Sequence, residues 1–165
     1  MNKSFFTRDA GIVAKELLGK ILMVGGKKAK IVETEAYFDE KDPASRACQN
    51  GDLKKTMEME AGRILVYGVH NSWLINIVTG KKGEAGAVLI RAVEPLNFNG
   101  DCKGPGKLTK CLNIDKRFHK KLIGEEVCLD DGFCEEIEES FRIGVKKDLD
   151  KKMRFYIKDN KWVSR

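Results

Sequence analysis

Two carboxylates and a tyrosine alternate along the segment Ile31–Tyr37, whose sequence is IVETEAY. In a strand, side chains alternate between the two faces. One face would therefore carry Ile31, Glu33, Glu35 and Tyr37. A buried glutamate is costly without a partner, but a general base beside a flat stacking surface would justify that cost. The alternative is an edge strand with solvated glutamates, and the heptapeptide taken alone favours it.

A glycine-rich pentapeptide, Gly104-Pro105-Gly106-Lys107-Leu108, precedes a helical pattern. Free N–H groups and the helix dipole at a helix N-terminus suit a phosphate. The segment lacks the glycine spacing and the Ser or Thr of a Walker motif. An ordinary junction between a loop and a helix is the more common explanation, so the pentapeptide is a weak signal by itself.

Several polar or aromatic residues interrupt apolar strand patterns. A turn, Gly68–Asn71, follows Tyr67, and its tip could wedge into a base stack or form a plain hairpin loop. Asn76 and Arg91 lie in otherwise apolar segments. If buried, each must find hydrogen-bond partners, either in neighbouring backbone or in a pocket that it lines.

The composition is that of an ordinary globular protein, with 165 residues, 42% hydrophobic and 34% charged. This length suits one domain, which we expect to span residues 1–165. No apolar run approaches the length of a membrane span, and the polar start Met1–Ser4 is unlike a signal peptide. We therefore expect a cytoplasmic protein without membrane association.

The net charge of +6 is unevenly distributed. Residues 124–140 carry eight acids and no Lys or Arg, which leaves 31 bases against 17 acids in the rest of the chain. A basic surface of this kind suits a polyanionic partner. A lysine-rich surface selected for solubility is the alternative, and charge alone does not separate the two.

The cysteines do not form a metal-binding pattern. No pair has CxxC spacing, and the chain has two histidines, so we predict no zinc or iron–sulfur site. An odd number of cysteines, without a secretion signal, fits reduced structural thiols in a cytosol. The five are Cys48, Cys102, Cys111, Cys128 and Cys134.

Periodicity and turn residues predict a mixed, mainly antiparallel α+β domain with short helices. The predicted helices are Ala10–Leu18 capped by Asp9, Ala44–Cys48 capped by Asp42, and Lys107–Leu112. The predicted strands are 21–24, 30–37, 63–67, 72–78, 87–94, 154–157 and 162–163. Residues 49–62 show no clear period, which predicts an exposed loop.

Taken together and in order, these segments resemble the alkyladenine (3-methyladenine) DNA glycosylase family from Phe5 to Ser164. The most specific segments are IVETEAY at 31–37 and GPGKL at 104–108, with LIRAVEP at 89–95 between them. The other matching segments are 5–6, 14–18, 42–45, 65–67, 76–77, 142–145 and 154–162. Agreement over so many ordered segments supports signals that are individually weak.

The resemblance implies a compact α+β domain around a curved antiparallel sheet. It also implies an enzyme that flips a damaged purine, such as hypoxanthine or 3-methyladenine, out of duplex DNA and hydrolyses its N-glycosidic bond. The reaction would need no metal or cofactor. No lysine matches a nucleophile position, so the abasic product would stay uncut. The partner would be double-stranded DNA that contains damaged purines, and the enzyme would act as a monomer.

The resemblance also assigns the chemical roles. Glu35 would be the general base that activates water, and Arg91 and the backbone carbonyl of Ile143 would hold that water. The ionised Glu35 would stabilise the developing sugar cation. Glu33 would be structural and neutralised by a neighbour.

Binding roles follow in the same way. Tyr37 and Tyr67 would enclose the flipped base, and Asn76 would shape the pocket floor. His70, at the turn tip, would fill the gap in the duplex, and Val69 could share that role. The residues expected to hold phosphate are Gly104, Gly106 and Lys107.

The chain departs from the family pattern at one pocket position. After Asp42–Ser45 the pattern calls for histidine, and this chain has Arg46. Its fixed charge would repel cationic bases such as 3-methyladenine or 7-methylguanine and would favour neutral hypoxanthine. The segment 49–61 is also altered, and the turn after Tyr67 is about one residue shorter than in the family.

Two other functions stay open on the sequence. A catalytically weak member of the same fold could bind damaged DNA or RNA without useful hydrolysis, as the change at Arg46 and the short turn would allow. A nucleotide- or translation-related binding module of similar fold would have no need of a base such as Glu35.

Overall fold

The computed structural model describes residues 1–164 and shows an antiparallel sheet with helices packed on it. The strands are β1 (Ile21–Val24), β2 (Lys27–Tyr37), β3 (Ile64–Val69), β4 (Ser72–Val78), β5 (Ala87–Pro95), β6 (Val127–Asp130), β7 (Ile137–Ser140) and β8 (Arg154–Ile157). The α-helices are α1 (Ala10–Leu17), α2 (Asp52–Met57) and α3 (Pro105–Leu112). Single 3-10 turns occur at Lys3–Phe5, Arg46–Cys48 and Lys116–Phe118. The predicted α+β class is confirmed.

The strand β2 is the centre of the sheet. The strand order is β3-β4-β5-β2-β1-β6, and β8 pairs with both β2 and β7. The alternative of an edge strand with solvated glutamates is excluded, because β2 has neighbours on both sides and Glu33 and Glu35 are fully buried.

The pairing of β2 with β5 is irregular around Glu33. Its register shifts on both sides of this residue, which is the signature of a β-bulge. Ile31 consequently packs in the same apolar cluster as Val32 and Ala36, and the predicted face holds only from Glu33 to Tyr37.

The helix α1 covers the sheet beside β2. The Asp9 carboxylate accepts hydrogen bonds from the N–H groups of Gly11 and Ile12, so the predicted cap is confirmed. Val13 and Leu17 are fully buried, as the apolar spacing predicts. The Thr34 hydroxyl donates to the carbonyl of Ala14 at 2.8 Å and joins the helix to the strand.

Residues 42–57 differ from the sequence prediction. The predicted helix 44–48 is only the turn Arg46–Cys48, which is capped by Ser45. The Asp42 carboxylate instead accepts the N–H of Ala44 at 3.1 Å and binds Arg142 at 2.7 Å. The segment predicted as an exposed loop contains α2, which buries Thr56 and Met57. A six-residue helix is too short to show a reliable period.

The far edge of the sheet also differs from the prediction. Trp162 and Val163 do not form a strand, and β6 and β7 were not predicted. These two strands carry part of the acidic segment 124–140, and lysines on adjacent parts of the fold neutralise it. The ion pairs are Lys121–Glu126, Lys20–Asp131, Lys30–Glu135, Lys158–Glu136 and Lys15–Glu139.

The hairpin β3–β4 is tighter than predicted. Its turn is the pair His70-Asn71, with φ of 48° and 60°, as a two-residue hairpin turn of the I′ type requires. The helix α3 packs against this hairpin, and the Thr109 hydroxyl donates to the Trp73 carbonyl at 2.7 Å. Among residues 1–164, no helix combines the length and apolar character needed to cross a membrane.

Gly106 allows the close approach of α3 to the hairpin. A Cβ at Gly106 would lie 2.6 Å from the Cβ of Ser72, whereas a Cβ at Gly104 would meet nothing nearer than 3.7 Å. We expect Gly106→Ala to lower the free energy of unfolding by about 1–3 kcal/mol through overpacking. Urea unfolding measures this, with Gly104→Ala as the matched control. Equal stability of the two variants would contradict this packing.

Candidate active site

A pocket of about 770 Å³ opens where β2 ends. Its walls come from the segment 43–49, the β3–β4 hairpin, the start of α3 and the loop 143–147. The lining contains four cationic side chains, and no Asp or Glu of the described chain is among the lining residues. These cations are Arg46, Arg91, Lys146 and Lys147. The pocket is therefore positively charged and suits an anionic ligand.

Glu35 lies fully buried directly behind this pocket. Its Oε1 accepts the backbone N–H of Ile143 at 2.7 Å, and its Oε2 accepts the Tyr37 hydroxyl at 2.7 Å. Arg91 Nη1 lies 3.4 Å from Oε1. Burial raises the pKa of Glu35, although Arg91 and both hydrogen bonds act against that rise.

Glu33, two residues earlier on β2, is enclosed by cations. Its Oε1 accepts from Arg91 Nε at 3.1 Å and from Arg154 Nε at 2.7 Å. Its Oε2 accepts the backbone N–H of Ser164 at 2.7 Å. Glu33 is thus neutralised by neighbours, as the sequence analysis expects of a structural carboxylate.

Arg142 fixes one side of the pocket. Its guanidinium donates to both oxygens of Asp42 at 2.7 Å and to Asp148 at 2.6 Å, and its carbon lies 4.6 Å from the centroid of the Tyr37 ring. Burial and the adjacent Glu35 raise the pKa of Tyr37. Burial acts to raise the pKa of Asp42, but the hydrogen bonds from Arg142 lower it overall.

Sequence reasoning placed Arg142 in a matching segment but gave it no role. Its partners, Asp42 and Asp148, are distant along the chain or in an irregular loop, so no spacing rule reveals them.

Arg46 lies in the pocket beside the second tyrosine. It is half-buried, and its guanidinium carbon lies 4.8 Å from the centroid of the Tyr67 ring. Tyr37, Tyr67 and Arg46 therefore all line one pocket. The arginine covers aromatic surface of Tyr67 in the free protein.

Asn76 is placed differently from the other predicted pocket residues. It is buried, its Nδ2 donates to the Leu65 carbonyl at 3.2 Å, and it is not among the residues that line the pocket. Of the two possibilities that the sequence left open, the structure shows a side chain that satisfies neighbouring backbone. Its role at the pocket floor stays a prediction.

The residues predicted to contact DNA surround the pocket mouth. His70 is exposed at the hairpin tip, Val69 is half-buried beside it, and both line the pocket with Gly106. Gly104 is the residue before the first turn of α3. The Lys107 amine lies further out and pairs with Asp101 at 2.8 Å.

A buried carboxylate behind a cationic, tyrosine-lined pocket is suited to hydrolysis of an anionic substrate with an aromatic group. Comparison with known proteins points to such a hydrolase. The family model described as Methylpurine-DNA glycosylase (MPG) matches residues 4–161. The chain belongs to the methylpurine-DNA glycosylase family, a family of DNA glycosylases, and the resemblance seen in the sequence is confirmed.

Curated relatives match along at least 92% of their own length. A protein of Aeropyrum pernix is 41% identical over 99% of this chain and 92% of its own length. One from Borreliella burgdorferi is 41% identical over 100% of both chains, and one from Clostridium novyi is 37% identical over 100% of this chain and 98% of its own. All three carry the name "Putative 3-methyladenine DNA glycosylase".

Burial of Glu35 has a consequence for stability. An acid whose pKa is raised by folding destabilises the native state once the pH exceeds its pKa in the unfolded chain, about 4.3 for Glu. We therefore expect Glu35→Gln to unfold at a higher temperature than the native protein at pH 7. The difference should shrink as the pH falls towards 4, where Glu35 is protonated in both states.

Thermal unfolding at a series of pH values tests this expectation. Glu135→Gln is the matched control, because Lys30 lowers the pKa of that exposed carboxyl and its loss should not stabilise the protein. A Glu35→Gln variant that is less stable than the native protein at pH 7 would contradict the expected cost of the buried charge.

Proposed function

We propose that the protein excises damaged purines, including hypoxanthine and 3-methyladenine, from duplex DNA. It flips the base into the pocket and hydrolyses the N-glycosidic bond with water activated by Glu35. The observation that supports this proposal best is the setting of Glu35, a buried carboxylate held by Tyr37 and the Ile143 amide behind a cationic pocket.

The surroundings of Glu35 suit a general base. Burial raises its affinity for a proton, and two short hydrogen bonds fix the orientation of the carboxylate. Each oxygen keeps lone-pair capacity for a water molecule. Arg91 and the Ile143 carbonyl would position that water, and the carboxylate would stabilise positive charge on the sugar as the bond breaks.

The tyrosines provide the binding surface for the flipped base. Arg142 stacks on one face of Tyr37, so a base would stack on the other. Tyr67 lines the same pocket, and His70 or Val69 at the hairpin tip would fill the gap in the duplex. Asn76 would act from behind the pocket lining.

The pocket rim would bind the DNA backbone. Lys146 and Lys147 are exposed beside the pocket and would neutralise phosphates. The start of α3, with Gly104, Gly106 and Lys107, would contact a further phosphate. The proposed reaction uses no metal or cofactor and no lysine nucleophile, so the product is an uncut abasic site released by a monomeric enzyme.

One observation favours a second candidate, a damaged-DNA binding protein with weak hydrolysis. Arg46 covers part of the Tyr67 ring, on which a flipped base would otherwise stack. A base that cannot displace this guanidinium would be bound without being placed for attack.

Release of hypoxanthine tests the proposal. A duplex oligonucleotide with a single hypoxanthine is incubated with excess protein and treated with alkali to cleave abasic sites. We expect cleavage with the native protein and a rate at least about 100-fold lower with Glu35→Gln, as loss of a general base produces.

The same assay distinguishes the alternatives. Omission of alkali should leave the strand intact, since no lysine nucleophile is proposed. Absence of product from both hypoxanthine and methylated DNA, with tight binding retained, would favour the binding protein. Equal rates for native protein and Glu35→Gln would remove Glu35 from the mechanism.

Arg46 should set the preference between lesions. A fixed positive charge beside Tyr67 disfavours purines that are themselves cationic, such as 7-methylguanine in DNA. We expect Arg46→His to raise the excision rate of 7-methylguanine relative to hypoxanthine, measured by single-turnover kinetics on matched duplexes. Arg46→Lys keeps the charge and should leave the ratio close to native, and an unchanged ratio in Arg46→His would contradict this role.

A further inference from the structure

A second buried carboxylate lies close to the proposed base but takes no part in the proposed hydrolysis. Glu33 has no exposed surface and is surrounded by Arg91, Arg154 and the backbone of Ser164. A buried carboxylate is costly, and a complete buried ion-pair group can often be replaced by apolar side chains without loss of stability. Its contacts with Arg91 indicate a more specific role.

Arg91 is shared between the two glutamates, and unequally. Its Nε lies 3.1 Å from Glu33 Oε1, while its Nη1 lies 3.4 Å from Glu35 Oε1. A charge-assisted hydrogen bond is usually about 2.7–2.9 Å long, so both contacts are longer than usual and the contact with Glu35 is the looser of the two. The remaining nitrogen, Nη2, lies 3.4 Å from the Ser164 hydroxyl. All three nitrogens of the guanidinium are thereby oriented.

Arg154 completes this arrangement from the opposite strand. It lies across from Glu35 in the β2–β8 ladder, yet its Nε donates to Glu33 at 2.7 Å. Its Nη2 donates to the Ser164 carbonyl at 3.3 Å. The same oxygen of Glu33 thus accepts from both arginines.

We propose that Glu33 is a positioning residue which, together with Arg154 and Ser164, holds Arg91 short of a tight ion pair with Glu35. The Glu35 carboxylate is thereby left able to accept a proton from water. This inference rests on the proposed role of Glu35 as the general base.

The charges around Glu35 give the sign of each substitution. The charged and titratable groups that face it are Tyr37 and Glu33 on β2 and Arg91 on β5. Arg154 on β8 does not contact Glu35 directly but donates to Glu33, and Arg142 lies over the Tyr37 ring. Loss of the Glu33 charge favours the ionised Glu35 and lowers its pKa. Loss of the Arg154 charge has the opposite effect and raises it.

Titration of the Glu35 carboxyl carbon by NMR tests the proposal in the free protein. Protein labelled with ¹³C at the glutamate carboxyl groups is titrated, and the Glu35 signal is assigned by its absence in Glu35→Gln. We expect the Glu35 midpoint to move to lower pH in Glu33→Gln and to higher pH in Arg154→Gln. The double variant, which restores the charge balance, should return towards the native midpoint.

Glu135→Gln is the control, because it changes the net charge by the same amount at an exposed ion pair with Lys30. Thermal unfolding establishes that each variant folds. If Glu33→Gln does not fold, the direction of the Glu35 midpoint shift in Arg154→Gln still tests the proposal. Two results in folded variants would overturn the proposal. The Glu35 midpoint could shift in Glu33→Gln and Arg154→Gln by no more than it does in Glu135→Gln, or it could shift in the same direction in both.

Enzyme assays separate this inference from the proposed function. If hypoxanthine is released, the acidic limb of the single-turnover pH profile should move with the NMR midpoint in each variant. Opposite NMR shifts without release of any lesion would support the positioning role of Glu33 and contradict the glycosylase. Release of the lesion without those shifts would support the glycosylase and reduce Glu33 to a packing residue.

Discussion

The burial of two carboxylates on the central strand is the constraint on which the rest of the structure depends. Glu33 and Glu35 are fully buried and two residues apart on β2. Like charges in a medium of low polarity are stable only when cations and hydrogen-bond donors surround them. The fold supplies those partners from β5, β8, the loop at Ile143 and the segment at Ser164.

The pairing of β2 supplies the two arginines that neutralise these carboxylates. β2 pairs with β5 along most of its length and with β8 beside Glu33–Glu35. Arg91 and Arg154 therefore approach the carboxylates from opposite edges of the strand. The bulge at Glu33 shifts the register locally, in the stretch where β8 also pairs with β2. Strand pairing and charge neutralisation are thus two parts of the same local arrangement.

Much of the fold could be predicted from periodicity and turn chemistry. Asp9 before an apolar helical pattern fixed the start of α1, and Gly25-Gly26 marked the hairpin between β1 and β2. The prediction failed where elements are short and polar. The helix α2 has six residues, and the strands β6 and β7 have four residues each. Such elements are stabilised by tertiary contacts that local sequence does not record.

In the candidate site, too, some residues could be predicted from the sequence, and others depend on tertiary contacts that the sequence does not reveal. Glu35, Tyr37, Tyr67 and Arg91 were identifiable because an ordered set of motifs pointed to one family. The sequence did not show that Asp42 binds Arg142, 100 residues later, because nothing in either local pattern encodes the pairing. The local pattern left open whether Asn76 satisfies backbone or lines a pocket, and its side chain donates to a backbone carbonyl on the neighbouring strand β3.

The two tyrosines of the pocket differ in their electrostatic surroundings, although each carries a guanidinium over its ring. The charge of Arg142 behind Tyr37 is balanced by Asp42 and Asp148. Arg46 over Tyr67 has no such balance, since the described pocket lining contains no carboxylate. A ring with an uncompensated cation on its face is a poor surface for a second cation. On the proposed function, we therefore expect the Tyr67 side of the pocket, and Arg46 in particular, to decide between neutral and charged purines.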